Sequence, residues 1–533
     1  MPTRWSGSGA LLVVAGWIAT MVAFSGNAFR IDDTNILAIA RQIAHDPLHP
    51  YSFSINWLGM PDRAFDILAN PPLIPAWLAL WAKVFGWSEV SLHLSMVPFS
   101  VLALLAFGSL AGRFGYGPGV SMGLLLCSPA FFLGSLVVMP DVAMLALLLG
   151  ALAGLFAAFD GASPRVAIAL SCWCAFFTPL CKYNGVILIP LLLFLLWQRK
   201  QWRRLILAPL IAAIAGMTLW SVYSAIVYGE PHILRIARFE KTFEIGTLPL
   251  FATFIAALGL AVVPFARHAV ASWTLPRAAV CGGAAVLGAL YSGFVFASSL
   301  SATLLFAAAA GMSAATLLHL LRGLREKKGD SWTSFLVLWI VLVLLMQLRV
   351  LFMAPRYLLP LLPPILLSFP ALRSNRRLLL ALGANLVLVL LLAAADASTA
   401  NISRRFVEEV SRSRQPGGTL FFAGHWGYQF YAERAGGQQV DSQNPALRLH
   451  DLYTFPRSPM ALPDPPHPSA VEGVRLERKL VRIPKPFLLQ TVDCDAEANF
   501  YGPHIGACRD RPLILPFGFS RAGSEEFIVF RGR

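Results

Sequence analysis

Apolar runs of around 20 residues, the length that crosses a hydrocarbon core about 30 Å thick, recur along this chain from residue 8 to residue 396. A bilayer core offers no water to unpaired backbone N–H and C=O groups, so segments of this kind cross it as helices. Composition agrees: 57% of the 533 residues are hydrophobic and only 13% are charged, where a globular domain is about a quarter charged. Spans are expected at 8–29, 89–111, 119–138, 142–159, 166–180, 184–197, 205–228, 249–265, 278–297, 301–321, 333–353, 357–371 and 378–396. That is roughly thirteen crossings. The first segment follows Arg4 and ends near small residues, but its apolar stretch is longer than that of a signal peptide, so it is expected to stay as a helix.

The net charge of +15 does not point to nucleic acid, because the basic residues come in short bursts between apolar runs. Those bursts fall in alternate loops, at Arg113, Arg165, Arg199–Arg204, Arg267–Arg277, Arg322–Lys328 and Arg373–Arg377. By the positive-inside rule these loops are cytoplasmic. The opposite side then holds the long loop 30–88, the mixed-charge loop 229–248, the isolated Lys182 and Arg356, and everything beyond residue 396. Two domains are expected: a membrane domain over 1–396 and an extracytoplasmic soluble domain over 397–533, α/β or β-rich. In the latter, Thr419–Gly424 reads as a strand, Tyr428–Ala435 as a helix, and Val481–Ile483, Phe487–Leu489 and Phe527–Phe530 as strands. His425 and Trp426 sit at the first strand's end, for packing or for stacking on a sugar. Cys494 and Cys508 are the two cysteines of this domain and are expected to pair if it lies in an oxidising compartment. The other five lie in or beside spans, and Cys172 with Cys174 lacks the second pair of a metal site. His45, Asp46 and His49 form no diagnostic metal pattern either.

In the first outer loop, Ile36, Ile39, Ala40 and Ile43 share one helical face, and the stretch Pro71–Phe85 is apolar but too short to span. Together they form an amphipathic platform at the membrane surface. Asp32 and Asp33 stand at its start, where acids cap a helix or act on a lipid head group.

At this point a resemblance emerges. The run Asp32-Asp33-Thr34-Asn35-Ile36-Leu37 resembles the acidic first loop of the protein O-mannosyltransferase and aminoarabinose transferase families, which share the GT-C fold. Asn70-Pro71-Pro72-Leu73, Met139-Pro140-Asp141, Lys182-Tyr183-Asn184-Gly185 and Arg356-Tyr357-Leu358-Leu359-Pro360 resemble further motifs of those families, in the same order along residues 1–396. All of these residues fall on the outer side of the topology drawn above. The sequence departs from the pattern at Asn70, where aminoarabinose transferases carry Lys, at Asp33, where Glu is usual, at Ile36, which replaces an aromatic, and at His93, where Arg is common.

The resemblance implies an inverting glycosyltransferase of the cell envelope, in a bacterial inner membrane, that takes its sugar from a polyprenyl-phosphate carrier and passes it to a lipid, glycan or protein acceptor. Such a reaction needs a base for the acceptor hydroxyl and cations for the departing phosphate. Asp32 is the first candidate base, with Asp33 and Asp141 as the other acids. Lys182, Arg356 and Tyr357 are candidate phosphate contacts, and Asn70, His93 and Arg238 candidate substrate contacts. Arg235, Arg238, Glu240, Lys241 and Glu244 fit a lid or a solvated helix equally. No cofactor is called for, and a divalent metal stays open. Two other functions stay open as well: a transporter or flippase of a lipid-linked sugar, and a noncatalytic assembly protein.

Overall fold

The computed structural model of the chain describes residues 7–533 except 57–59, 162, 201–203, 240–252, 256–273, 327–330, 349–353, 370–375, 441–444, 458–464, 466, 503, 509–510 and 522. The chain is mostly helical as far as Arg412 and β-rich from Leu420 onward. Among the described residues seven helices are long and apolar enough to cross a membrane: Glu89–Gly112, Pro140–Phe159, Pro164–Cys181, Leu205–Tyr228, Leu275–Phe296, Leu300–Arg325 and Leu378–Arg412. Shorter apolar helices cover Ser8–Phe24, Leu73–Phe85, Tyr183–Gln198, Trp332–Gln347 and Leu359–Ser368. The protein is a multi-pass membrane protein. Many of its helices open with proline in the first turn, at Pro118, Pro129, Pro140 and Pro164, where the missing N–H costs no hydrogen bond.

Two differences from the expected spans have local causes. Residues 119–138 form two helices, Pro118–Leu126 and Pro129–Ser135, bent by 78°. Pro129 has no N–H with which to continue the first helix, so the run breaks at Cys127-Ser128. The last span does not end at Asp396 but continues as one helix, Arg376–Arg412. The span expected at 249–265 and the residues Glu240, Lys241 and Glu244 lie outside the described residues, apart from 253–255.

Helix Pro140–Phe159 is the pillar of the bundle, with 83% of its apolar window buried against 17% for Leu275–Phe296. Gly154 lets its neighbour close in, since a Cβ there would stand 2.8 Å from the Ala167 carbonyl oxygen. The pillar begins with Pro140 and Asp141, so the most constrained helix also carries a candidate acid in its first turn.

Within residues 30–88 the chain forms the helix Asp33–His45, with Ile36, Ile39 and Ala40 buried and Ile43 half-buried. Helix Leu73–Phe85 packs against it, and a hairpin pairs Ser54–Asn56 with Pro61–Arg63. An aromatic cluster of Tyr51, Phe65, Tyr228, Trp220 and His232 fastens this loop to the spans. Within it Trp220 Nε1 donates to Tyr183 Oη at 2.9 Å, and Tyr183 Oη lies 2.7 Å from His232 Nδ1. Burial lowers the His232 imidazole to about 4, so it is neutral at physiological pH.

The C-terminal region forms a five-stranded mixed sheet in the spatial order Gln438–Gln439, Leu420–Phe422, Leu452–Pro456, Ser524–Gly532, Leu476–Pro484. Helix Trp426–Arg434 accompanies it. Cys494 and Cys508 are bridged, with Cα atoms 5.6 Å apart. This region sits on the first outer loop. Asp396 is the anchor: Arg30 Nη1 lies 2.7 Å from Asp396 Oδ2, Tyr501 Oη donates to the same oxygen at 2.7 Å, and Thr491 Oγ1 donates to Oδ1 at 2.9 Å. The Phe29 N–H donates to Tyr431 Oη at 2.9 Å, and Gly427 packs so close to the Phe29 carbonyl that no side chain fits there.

Candidate active site

Asp32 ends the first-loop approach and starts helix Asp33–His45. Its backbone carbonyl accepts the N–H groups of Asn35 and Ile36, each at 3.1 Å, while its carboxylate makes no capping bond. The carboxylate points elsewhere: Arg356 Nη2 donates to Asp32 Oδ2 at 2.6 Å. The Asp32 side chain is 28% exposed and that of Arg356 only 7%, so the acid is reachable from outside and the cation forms the floor. Arg356 Nη1 rests on Met139 Sδ, and its Nε–H has no acceptor among the described residues.

Lys182 ends helix Pro164–Cys181, in extended backbone after Pro179 has disturbed the last turn. Its ammonium pairs with Asp141, in the first turn of the pillar helix, where a carboxylate also meets the positive end of the helix dipole. The Tyr357 ring carries both cations: Lys182 Nζ lies 3.9 Å from its centroid and the Arg356 guanidinium carbon 5.2 Å. Two acid–base pairs thus share one aromatic ring.

Asp33 faces the other way and is fully buried. Its Oδ2 accepts the Arg30 N–H at 3.0 Å, and its Oδ1 accepts the Val138 N–H at 2.9 Å, two residues before Pro140. Burial pushes its carboxyl up to about 7, against the pull of the Arg30 charge and the two backbone N–H groups. It ties the loop of Asp32 to the loop of Asp141.

The other three candidates are not brought into this cluster. Asn70 is half-buried, with its carbonyl accepting the Tyr51 hydroxyl in the aromatic cluster. His93 is buried, with Nδ1 within 3.0 Å of Ser25 O and 2.8 Å of Glu89 O, and its ring stacks on Phe29. Arg238 is exposed and paired with Glu230. His425 holds the N-cap position of helix Trp426–Arg434, and Trp426 itself adopts a left-handed backbone at φ 57°.

The solved structure of ArnT from Cupriavidus metallidurans bound to undecaprenyl phosphate is similar to this chain over 85% of it and 93% of that chain, at 15% identity and a TM-score of 0.41. The structure of the Archaeoglobus fulgidus oligosaccharyltransferase in complex with zinc and sulfate covers 84% of this chain and 68% of that one, at 12% identity and a TM-score of 0.32. No family model and no curated protein matches the sequence.

Arg30 and Asp396 were missed by sequence reasoning, and Met139 entered it only as part of its motif. Arg30 lies two residues from Asp32 and was legible as a charge at the span's edge, but Asp396 read only as the point where composition changes. Among the described residues no group of three or more His, Cys, Asp and Glu is placed to hold a metal ion. The ligand chemistry the cluster offers is anionic: a guanidinium with an unspent N–H and an ammonium, both on one ring, fit phosphate oxygens.

Proposed function

We propose that this protein transfers a glycosyl group from a polyprenyl-phosphate donor to an acceptor hydroxyl at the outer face of a bacterial inner membrane, with its C-terminal domain on that same side. The observation that supports this best is the meeting of Asp32, Asp141, Lys182, Arg356 and Tyr357, from four distant segments, in one cluster. The order of motifs that resembles protein O-mannosyltransferases and aminoarabinose transferases supports the same reading.

In the resting state Arg356 neutralises Asp32. A donor phosphate placed on Arg356 and Lys182 competes for the guanidinium and frees the carboxylate. Asp32 then accepts the proton of the acceptor O–H as that oxygen bonds to the anomeric carbon. The bond from the anomeric carbon to the phosphate oxygen breaks on the opposite face, its electrons leave with the polyprenyl phosphate, and configuration is inverted. Arg356 and Lys182 hold the charge that develops there. Asp141 keeps Lys182 in place, and Asp33 holds the loop that carries the base.

The bent pair Pro118–Leu126 and Pro129–Ser135 favours a second reading, a transporter of a lipid-linked sugar, since secondary transporters bind their substrates at broken helices. The segment 118–135 carries no charged residue, unlike the broken helices that coordinate ions. Incubating the purified protein with a panel of polyprenyl-phosphate sugars and an envelope extract as acceptor, and following release of free polyprenyl phosphate, tests the first reading. Movement of intact donor across vesicles without release supports the second.

A further inference from the structure

A polar cleft of about 400 Å³ opens between the first outer loop and the C-terminal domain. One wall is the outward face of helix Asp33–His45, with Asn35 and Arg41. The hairpin forms the second, with Phe53 and Ser54. Helix Trp426–Arg434 and the neighbouring strand form the third, with Gln429, Phe430, Glu433 and Gln439. Its size lies at the low end of small-ligand sites, roughly 300–1,000 Å³, too small for a folded partner.

The walls are organised. Gln429 Nε2 donates to Glu433 Oε1 at 2.9 Å and to Gln439 Oε1 at 3.0 Å. Gln439 Nε2 donates to the Asn56 carbonyl at 3.2 Å, which joins the C-terminal domain to the hairpin. Arg41 lies over the Phe430 ring, its guanidinium carbon 5.0 Å from the centroid. Asn35 breaks this pattern of satisfied groups. It is only 9% exposed, it lines the cleft, and its side-chain amide has no partner among the described residues. The amide opens onto the cleft, where a ligand can complete its hydrogen bonds.

The position of Asn35 is as telling as its isolation. Its backbone N–H is bonded to the Asp32 carbonyl, so the unpaired amide stands one helical turn from the proposed base.

The chemistry of the lining selects a class of ligand. Arg41 and Glu433 offset each other, so the cleft gives no net pull on a phosphate or a carboxylate. The Asn35 amide can donate and accept within one group, which suits vicinal hydroxyls, while the amide donors of Gln429 and Gln439 are spent in holding the walls together. Phe53 adds an apolar face. We propose that this cleft is the acceptor subsite and that it takes the end of a short neutral glycan, with the Asn35 amide bridging two hydroxyls next to the one that is glycosylated. This inference rests on the transferase reading given above.

The test uses the full-length protein in nanodiscs, with neutral disaccharides of glucose, galactose, mannose and N-acetylglucosamine as probes, read by saturation-transfer NMR. Two variants separate the cleft from the rest of the molecule. Asn35→Leu removes the amide at similar volume, and Ser54→Trp, on the exposed hairpin, fills the cleft without touching the core. Binding of polyprenyl phosphate serves in both as the control for folding. At least one disaccharide is expected to bind the wild type, with affinity tenfold weaker or lost in both variants while polyprenyl phosphate binds normally.

The inference is overturned if no disaccharide of the panel shows saturation transfer, if both variants bind sugar like the wild type, or if neutral tripeptides bind in the cleft and disaccharides do not. Should Asn35→Leu fail to fold, Ser54→Trp decides alone. A protein that binds disaccharide at the cleft but releases no polyprenyl phosphate from any donor keeps the cleft and loses the transferase reading. One that transfers sugar with an unchanged acceptor KM in both variants keeps the transferase and loses the cleft.

Discussion

Arg356 and Asp32 are separated by 324 residues of chain and by 2.6 Å in space. The pair gives each partner a separate role to test. Asp32→Asn keeps the size of the side chain and removes the base, so turnover is expected to fall by about 10²-fold or more while donor binding persists. Arg356→Lys keeps the charge but loses the fork, and is expected to weaken donor binding by about tenfold, the loss of one charge-assisted hydrogen bond of about 1.5 kcal/mol. Steady-state kinetics with separate donor titrations measure both. Wild-type turnover in a well-inserted Asp32→Asn protein moves the base to another acid.

Lys182 and Asp141 are both nearly buried and depend on each other. Removing either alone leaves a buried charge without its partner, at a cost of about 3–5 kcal/mol. The double replacement Lys182→Met with Asp141→Leu removes both charges and is expected to recover most of that stability without recovering transfer. Thermal melting of the four proteins of this cycle, beside a transfer assay, reads the two effects separately. If the double variant is no more stable than either single one, the two charges are not coupled.

Asp33 titrates in a way that fixes the sign of a pH effect. Its carboxyl is raised from 3.8 to about 7 in the folded protein. Between about pH 4 and pH 7 the folded state therefore holds a proton that the unfolded chain has released, and the contribution of Asp33 to stability declines as pH rises through this window. Above pH 7 the decline is complete. Melting temperatures at pH 5 and pH 8 are expected to differ less in Asp33→Asn than in the wild type. Equal differences would show that Asp33 is not the titrating group.

The bridge between Cys494 and Cys508 closes a loop with a sequence separation of 14. On the chain-entropy model such a closure contributes about 3 kcal/mol to the C-terminal domain. Cys494→Ser with Cys508→Ser is expected to lower that domain's resistance to proteolysis, and mass spectrometry of unreduced peptides from exported protein to recover the linked pair. Two free thiols in that sample refute the bridge and speak against an extracytoplasmic domain.

Much of this was legible from local pattern. The spacing of Ile36, Ile39 and Ala40 foretold the buried face of the surface helix, because side-chain direction repeats with the helical turn. Asp32, Asp141, Lys182 and Arg356 were marked by the ordered motifs in which they stand, because a charge at a span's edge reaches water at little cost and alone says little. The break at Pro129 was lost in a sum of hydropathies that does not weigh a missing N–H. Strand Ser524–Gly532 lies between Leu452–Pro456 and Leu476–Pro484, yet nothing local to any of the three records its neighbours. The opposite orientations of Asp32 and Asp33 were beyond reach for the same reason: what separates them is Val138 on one side and Arg356 on the other.

The anchoring of Arg30 on Asp396 imposes an order on biogenesis. The loop that carries Asp32 leaves the ribosome early, but the carboxylate that pairs with its Arg30 arrives only with the last of the described membrane helices, on Asp396, and the hydroxyl that receives the Phe29 N–H later still, on Tyr431. Until then the start of the loop lacks these two contacts, and it is held by earlier partners alone, Val138 on Asp33 and Arg356 on Asp32. A nascent or truncated chain therefore lacks this clamp, which closes only once the C-terminal domain has folded against the loop made first.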